Sequence, residues 1–308
     1  MSITRRILGT GPVDWLVAML LSWAIPLGLI GEIQVTYAIS LIFWAIPVTL
    51  LLPRFFILSD EGTRRRRRAF AWSVAYILIA GSILDLVFGA LILKFDFTKN
   101  HYLFPIPAIG GKVPVEEILF YLLGGMAVLL VYFWCDEYWM SCYSVRKRRT
   151  NREIFDDFRI FRFSAPALTI GVFLFILGWV LKWRYSSGGN IWPPPYYYTF
   201  LLVIAFVPAI ALYASLRDLV NWRAFSFTTL YVLLTACIWE VTLALPQCWW
   251  CYQNSPAVIG KLVRPWGPYP IEALLVWLVV SFSSILTYEA IKAYHYDDRP
   301  AKQVMFGS

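Results

Sequence analysis

Long apolar runs separated by short polar segments dominate the chain. A helix needs about 20 apolar residues to cross a bilayer. Eight runs approach that length, at about 13–32, 36–57, 69–94, 114–134, 163–181, 197–215, 225–247 and 270–291. The pattern predicts an all-α fold: a polytopic transmembrane bundle of about eight helices. The first run contains Asp14 and lacks a small-x-small cleavage site, so it is expected to be a span and not a removed leader.

Composition agrees with this reading. Hydrophobic residues make up 59% of the chain and aromatics 18%, and the mean hydropathy is +0.63. Such values lie far from a soluble domain, so any chemistry is expected in or at the bilayer. The net charge of +8 would suit nucleic acid, but its distribution argues otherwise. With the N-terminus inside, segments 1–12, 53–68, 135–162, 216–224 and 291–308 carry 20 of the 27 Lys and Arg residues. That asymmetry predicts cytoplasmic termini, with Arg64 to Arg68 as a topology anchor against membrane lipid head groups and no nucleic-acid partner.

The polar positions inside the apolar runs repeat. Pro114-Val115-Glu116-Glu117 opens one run and Pro270-Ile271-Glu272-Ala273 opens another, 156 residues later. Asp85 lies 31 residues before Glu116, and Glu240 lies 32 residues before Glu272. Matched spacing predicts two tandem four-helix units, about 1–160 and 161–308, in parallel repeat. Acids in hydrocarbon are costly and rare, and repeated ones point to function. The plainer alternative is that Glu116 and Glu272 are helix-start carboxylates. With each proline at the first helical position, they would fall at the third, beside unpaired N–H groups and the positive end of the dipole. That alternative leaves Glu117, Asp85 and Glu240 unexplained.

Several carboxyls near one end of a bundle suit acid–base chemistry. Burial and a like-charged neighbour separate the proton affinities of paired carboxyls, so one acts as acid while another acts as base. The helix dipole favours the ionised form at Glu116 and Glu272, which leaves Glu117, Asp85 and Glu240 as the better candidate acids. Two histidines, His101 and His295, are too few for a histidine-rich di-iron site. Cys248 and Cys251 have redox-motif spacing without a thioredoxin-like context. No dinucleotide fingerprint, P-loop or nucleophile elbow occurs, which leaves redox-neutral chemistry or transport of an apolar molecule.

Ile118-Leu119-Phe120 after the first acidic motif, Trp239-Glu240, Pro246 with Trp249, Trp250 and Tyr252, and Tyr269-Pro270-Ile271-Glu272 form a recognisable set. Over nearly its whole length the chain resembles the integral-membrane lycopene cyclases, of the heterodimeric bacterial type and the fused archaeal and fungal domains. The resemblance implies a cofactor-free isomerase of carotenoid biosynthesis in a bacterial or archaeal cell membrane. Its substrate would be lycopene or a related linear carotenoid, whose ψ-ends become β-type or ε-type rings. It leaves room for a homo-oligomer or for contact with other carotenoid enzymes. Carried over residue by residue, the acidic motif falls on Pro114, Glu116 and Glu117, and on Pro270 and Glu272. Ala273 departs from a doubled acid, so the two units are expected to be unequal.

In the mechanism this implies, protonated Glu117 or Glu116 adds a proton to the terminal C=C, and the next C=C closes the ring. Asp85 or Glu240 then accepts a ring proton. Trp239, Trp249, Trp250, Tyr252 and Tyr102 are the candidate aromatic faces for the cation, with Pro114 and Pro270 shaping the site. Alternatives are an end-group hydratase, a proton-coupled transporter of a lipid-like molecule, or a polyene-binding protein.

Overall fold

A computed structural model describes residues 12–29, 35–57, 61–93, 102–144, 160, 164–186, 189, 191–247, 249, 256–260, 262–263, 269–296 and 304. Its helices are α1 (Pro12–Leu29), a single turn α2 (Tyr37–Ser40), α3 (Ile42–Ile57) and α4 (Glu61–Ile83). Then follow α5 (Val115–Trp134), α6 (Ala165–Tyr185), α7 (Tyr196–Phe200), α8 (Val207–Leu216), α9 (Trp222–Trp239), α10 (Leu245–Gln247) and α11 (Ile271–Tyr296). Four π-helical stretches extend or join them, at Leu84–Leu93, Cys135–Trp139, Leu201–Phe206 and Glu240–Ala244. Two small antiparallel hairpins complete the described residues: β1 (Pro105–Ala108) with β2 (Gly111–Pro114), and β3 (Leu262–Val263) with β4 (Tyr269–Pro270).

Among the described residues, six continuous helices are long and apolar enough to cross a membrane: Arg66–Gly89, Val115–Trp139, Ala165–Tyr185, Tyr196–Leu216, Trp222–Gln247 and Ile271–His295. The chain is thus a multi-pass, all-α membrane bundle. The first two of the eight expected runs are shorter among the described residues, as Met19–Gly28 and Ile42–Pro53. Prolines lie in both of their helices, Pro26 in α1 and Pro47 and Pro53 in α3. Each removes an internal N–H and disturbs the carbonyl four residues back, which weakens an extended apolar helix.

Helices α5 and α11 form the centre. Helix α5 packs on α3, α4, α9 and α11, and α11 in turn packs on α4, α8 and α9. Their role follows from composition, because α5 is apolar almost all round and therefore suited to the interior. Tyr132, Val131 and Leu130 are essentially inaccessible. Helix α6 lies at the edge and leaves Leu168, Val172, Phe173, Ile176 and Trp183 exposed, as a helix facing lipid does.

At the end of the bundle away from the hairpins, charges are buried between the two central helices. Lys292 Nζ bonds Glu289 Oε1 and lies 3.7 Å from Asp136 Oδ2. Tyr132 Oη donates to Glu289 Oε1 at 3.0 Å, and Asn221 Nδ2 donates to Asp136 Oδ1 at 3.0 Å. Asn221 also caps α9 by accepting from the Ala224 N–H at 3.3 Å. Asp136 and Lys292 stand 156 residues apart, as do Tyr132 and Tyr288, whose rings meet edge to face at 6.2 Å. Positions 156 residues apart on the two central elements therefore face each other, one pair as rings and the other as opposite charges.

Candidate active site

The hairpin end is built twice on one plan. In each case an acid begins a π-helical stretch, a hairpin follows, and a helix starts directly after its second strand. Asp85 is the second residue of Leu84–Leu93, and Glu240 the first of Glu240–Ala244. A π stretch shifts the backbone bonding by one residue and is often found where a side chain must be re-aimed. It also releases carbonyls. The Leu86 carbonyl, next to Asp85, accepts the Ile109 N–H at 2.8 Å and so docks the tip of the first hairpin. The tip turns at Gly110, whose φ of +86° suits glycine and whose Cα faces Leu91 too closely for a Cβ to fit unstrained.

The prolines of the acidic motifs sit one position earlier than the sequence suggests. Pro114 ends β2 and serves as the N-cap of α5, with φ −62° and ψ 142°. Pro270 ends β4 in the same way. Each proline is the last residue of its strand, and the helices begin at Val115 and Ile271, so Glu116 and Glu272 occupy the second helical position and not the third. Both are buried, yet neither lines the cavity described below. Glu116 Oε1 accepts the Leu103 N–H at 2.7 Å, and Glu272 Oε1 accepts the Ile259 N–H; each amide lies 13 residues upstream of its carboxylate. These two glutamates latch the chain entering each hairpin onto the helix that follows it.

Lys182, buried within the α6 span, explains itself by a related contact. Its ammonium donates to the Pro256 and Val258 carbonyls at 2.8 and 2.7 Å, fixing the segment that carries Ile259. The Glu116 latch is expected to be worth one charge-assisted hydrogen bond. In Glu116→Ala, hydrogen exchange at the Leu103 amide should accelerate about 10- to 100-fold. The Ile259 amide should keep its wild-type rate.

Glu117 points the other way. It lines a cavity of about 130 Å³ together with Asp85 and Glu240, which brings acids from three helices to one space. All three are at most 6% exposed. The Glu117 carboxyl faces both the Tyr37 hydroxyl and the Asp85 carboxyl. Tyr121 Oη donates to Asp85 Oδ2 at 2.7 Å. Aromatic walls come from Phe120, Tyr121, Tyr197, Phe200 and Trp277. Tyr197 is the side chain placed among all the acids, close to Glu240, Asp85, Glu272 and Glu117. Tyr76 and Ile204 also line the cavity, and Tyr76 Oη donates to the Ile204 carbonyl at 3.3 Å. Ile204 is 40% exposed. Among the described residues no cluster of three His, Cys, Asp or Glu side chains is placed to hold a metal ion.

The aromatic residues singled out from the sequence stand behind this wall. Trp239 is fully buried and stacks on Phe120 at 5.2 Å. Trp249 packs on Tyr37 at 5.2 Å, and Tyr102 Oη donates to the Trp249 carbonyl at 3.0 Å. Trp44 stacks on Trp277 at 4.5 Å and closes the layer. Trp239, Trp249 and Tyr102 thus brace the cavity without lining it. Trp250 and Tyr252 lie outside the described residues, as do Cys248, Cys251 and His101. Tyr121 and Trp277 were not among the residues singled out, although one signal was available. Tyr121 follows Glu117 by four positions, which places both on one helix face, and Trp277 is its counterpart 156 residues on.

Comparison with known proteins found no match to a family model, a curated protein or a solved structure.

Proposed function

We propose that the protein is a cofactor-free, acid–base isomerase of apolar polyenes in the membrane, a lycopene cyclase in the sense of the resemblance noted above. The observation that carries this reading is the convergence of Glu117, Asp85 and Glu240, all buried, on an aromatic-walled cavity. A carotenoid dissolved in the bilayer would reach such a site from the lipid without crossing water. The cavity is close to the volume that accepts a single six-membered ring, on the order of 150 Å³. An end group would fit inside while the rest of the polyene stays in lipid.

Glu117 is the acid in this reading. Two facing carboxyls in a dry site share one proton, since like charges at that range cannot both ionise. Glu117 adds the shared proton to the terminal C=C, and the tertiary cation is attacked by the next C=C. Asp85 then takes a proton from the ring, and the C–H electron pair becomes the ring double bond. The faces of Phe120, Tyr121, Tyr197 and Trp277 stabilise the passing cation. Water is excluded, as it must be, because it would trap the cation as an alcohol. Glu240, from the second half of the chain, is the alternative base. The halves act as two unequal units, with Ala273 standing where Glu117 has its repeat counterpart.

Expression in a bacterium that accumulates lycopene tests the reading. The expected result is conversion to monocyclic or bicyclic pigments of unchanged mass. A gain in mass of one water would replace cyclisation by hydration at the same acids. Unchanged lycopene, with the protein verified in the membrane, would overturn the enzyme reading in favour of transport or binding.

A further inference from the structure

We propose that Tyr121, seated by Gly81, is the positioning residue that aims Asp85 into the cavity and thereby decides which ring proton is removed. The proposal rests on the reading of Asp85 as the base and names what controls it. Three observations lead to it.

The first is the bond itself. Tyr121 Oη donates to Asp85 Oδ2 at 2.7 Å, which fixes the plane of the carboxyl that faces Glu117. An acid on a flexible side chain gains a fixed direction from such a donor, and the position of a base within about 1 Å decides which C–H it reaches.

The second is the seat. A Cβ built on Gly81 would lie 2.3 Å from the Tyr121 ring. The ring lies flat against the α4 backbone, and only glycine permits that approach. Gly81 is four residues before Asp85, so the clearance and the acid it serves share one face of α4. Any larger residue at 81 must push the phenol away from the carboxyl.

The third is asymmetry. The repeat counterpart of Tyr121 is Trp277, which stacks on Trp44 and has no hydroxyl to offer. The counterpart of Glu117 is Ala273. Asp85 and Glu240 therefore differ in environment: a phenol on the following central helix is held against Asp85 by a glycine, and the matching position after Glu240 is an indole. The tether keeps Asp85 in one place, and an acceptor at one place gives one ring isomer.

Two variants and two readouts test this. Tyr121→Phe removes only the hydroxyl, and Gly81→Ala keeps it but displaces the ring. In purified protein, the infrared carboxyl bands of Asp85, assigned by their loss in Asp85→Asn, should shift in both variants. Unchanged bands overturn the proposal whether or not the protein cyclises anything. In lycopene-accumulating cells both variants should form ring products about 10- to 100-fold more slowly, the scale of one charge-assisted hydrogen bond. Their products should also mix ring double-bond positions that the wild type keeps separate. A wild-type rate and isomer ratio in Tyr121→Phe would overturn the proposal. Failure of the cyclase reading looks different, because wild type itself would then form no cyclic pigment while the infrared comparison still stands.

Discussion

Glu117→Gln should reduce the conversion of lycopene about 10²- to 10⁴-fold, the usual contribution of a positioned general acid. Gln has nearly the shape of Glu and can still meet the Tyr37 hydroxyl, but it has no acidic proton to give. Protein level in the membrane should be unchanged, so the loss is read as turnover per molecule of protein. Glu116→Gln provides the contrast. Its side chain bonds the Leu103 amide and stays off the cavity, and an amide oxygen can replace the carboxylate oxygen there. Turnover should fall far less than in Glu117→Gln. Pigment analysis of the two variants side by side decides between adjacent glutamates that spacing alone cannot separate. Equal loss in both, or full activity in Glu117→Gln, would refute the assignment.

Lys292→Met should cost about 3–5 kcal/mol of stability, the range for removing one partner from a buried ion pair. Lys292 is 2% exposed and serves both Glu289 and Asp136. Without it, two acids remain buried between α5 and α11 beside Tyr132 and Asn221, with their ammonium partner gone. The loss would be read as a lowered unfolding midpoint in detergent. A neutral triple replacement, Lys292→Met with Asp136→Asn and Glu289→Gln, should recover most of it, because no uncompensated charge is left. If the triple variant is no more stable than Lys292→Met, the cost lies in packing and not in charge. The network sits at the end of the bundle away from the cavity, so folded Lys292→Met protein should keep the wild-type product pattern.

The acids of the cavity were legible as a set and not as individuals. Asp85, Glu117 and Glu240 stand out in sequence because charge inside an apolar run is rare, and Asp85 and Glu240 recur at matched spacing. Glu116 and Glu272 stand out by the same signal, yet they serve the hairpins. Adjacent helical residues differ by about 100° in direction, and the direction of the cavity is set by helices far away in sequence. The placement of the aromatics has a related cause. Trp239 and Trp249 lie beside an acid or in a motif, whereas Tyr197 and Trp277 reach the cavity because their helices pack there.

Other features had no linear trace. The hairpins are short, and their strands read as Pro- and Gly-rich loop, because pairing across two to four residues leaves no periodicity to detect. The one-position error at Pro114 has the same origin: strand pairing with Pro105 holds the proline extended, outside the helix that it seemed to open. Nor could the pattern foresee the π stretches that begin at both acids, since a shift of one residue in backbone bonding leaves composition untouched.

Membrane insertion, helical class and the twofold recurrence of acids are readable from residues alone, because each is a local or periodic property of hydrophobicity. Which acid meets which is not. That depends on the approach of α4, α5, α9 and α11, permitted at Gly81 and locked at the far end by Lys292 between Glu289 and Asp136. The Gly81–Tyr121 and Lys292–Asp136 contacts join positions 40 and 156 residues apart, and only packing in three dimensions selects them.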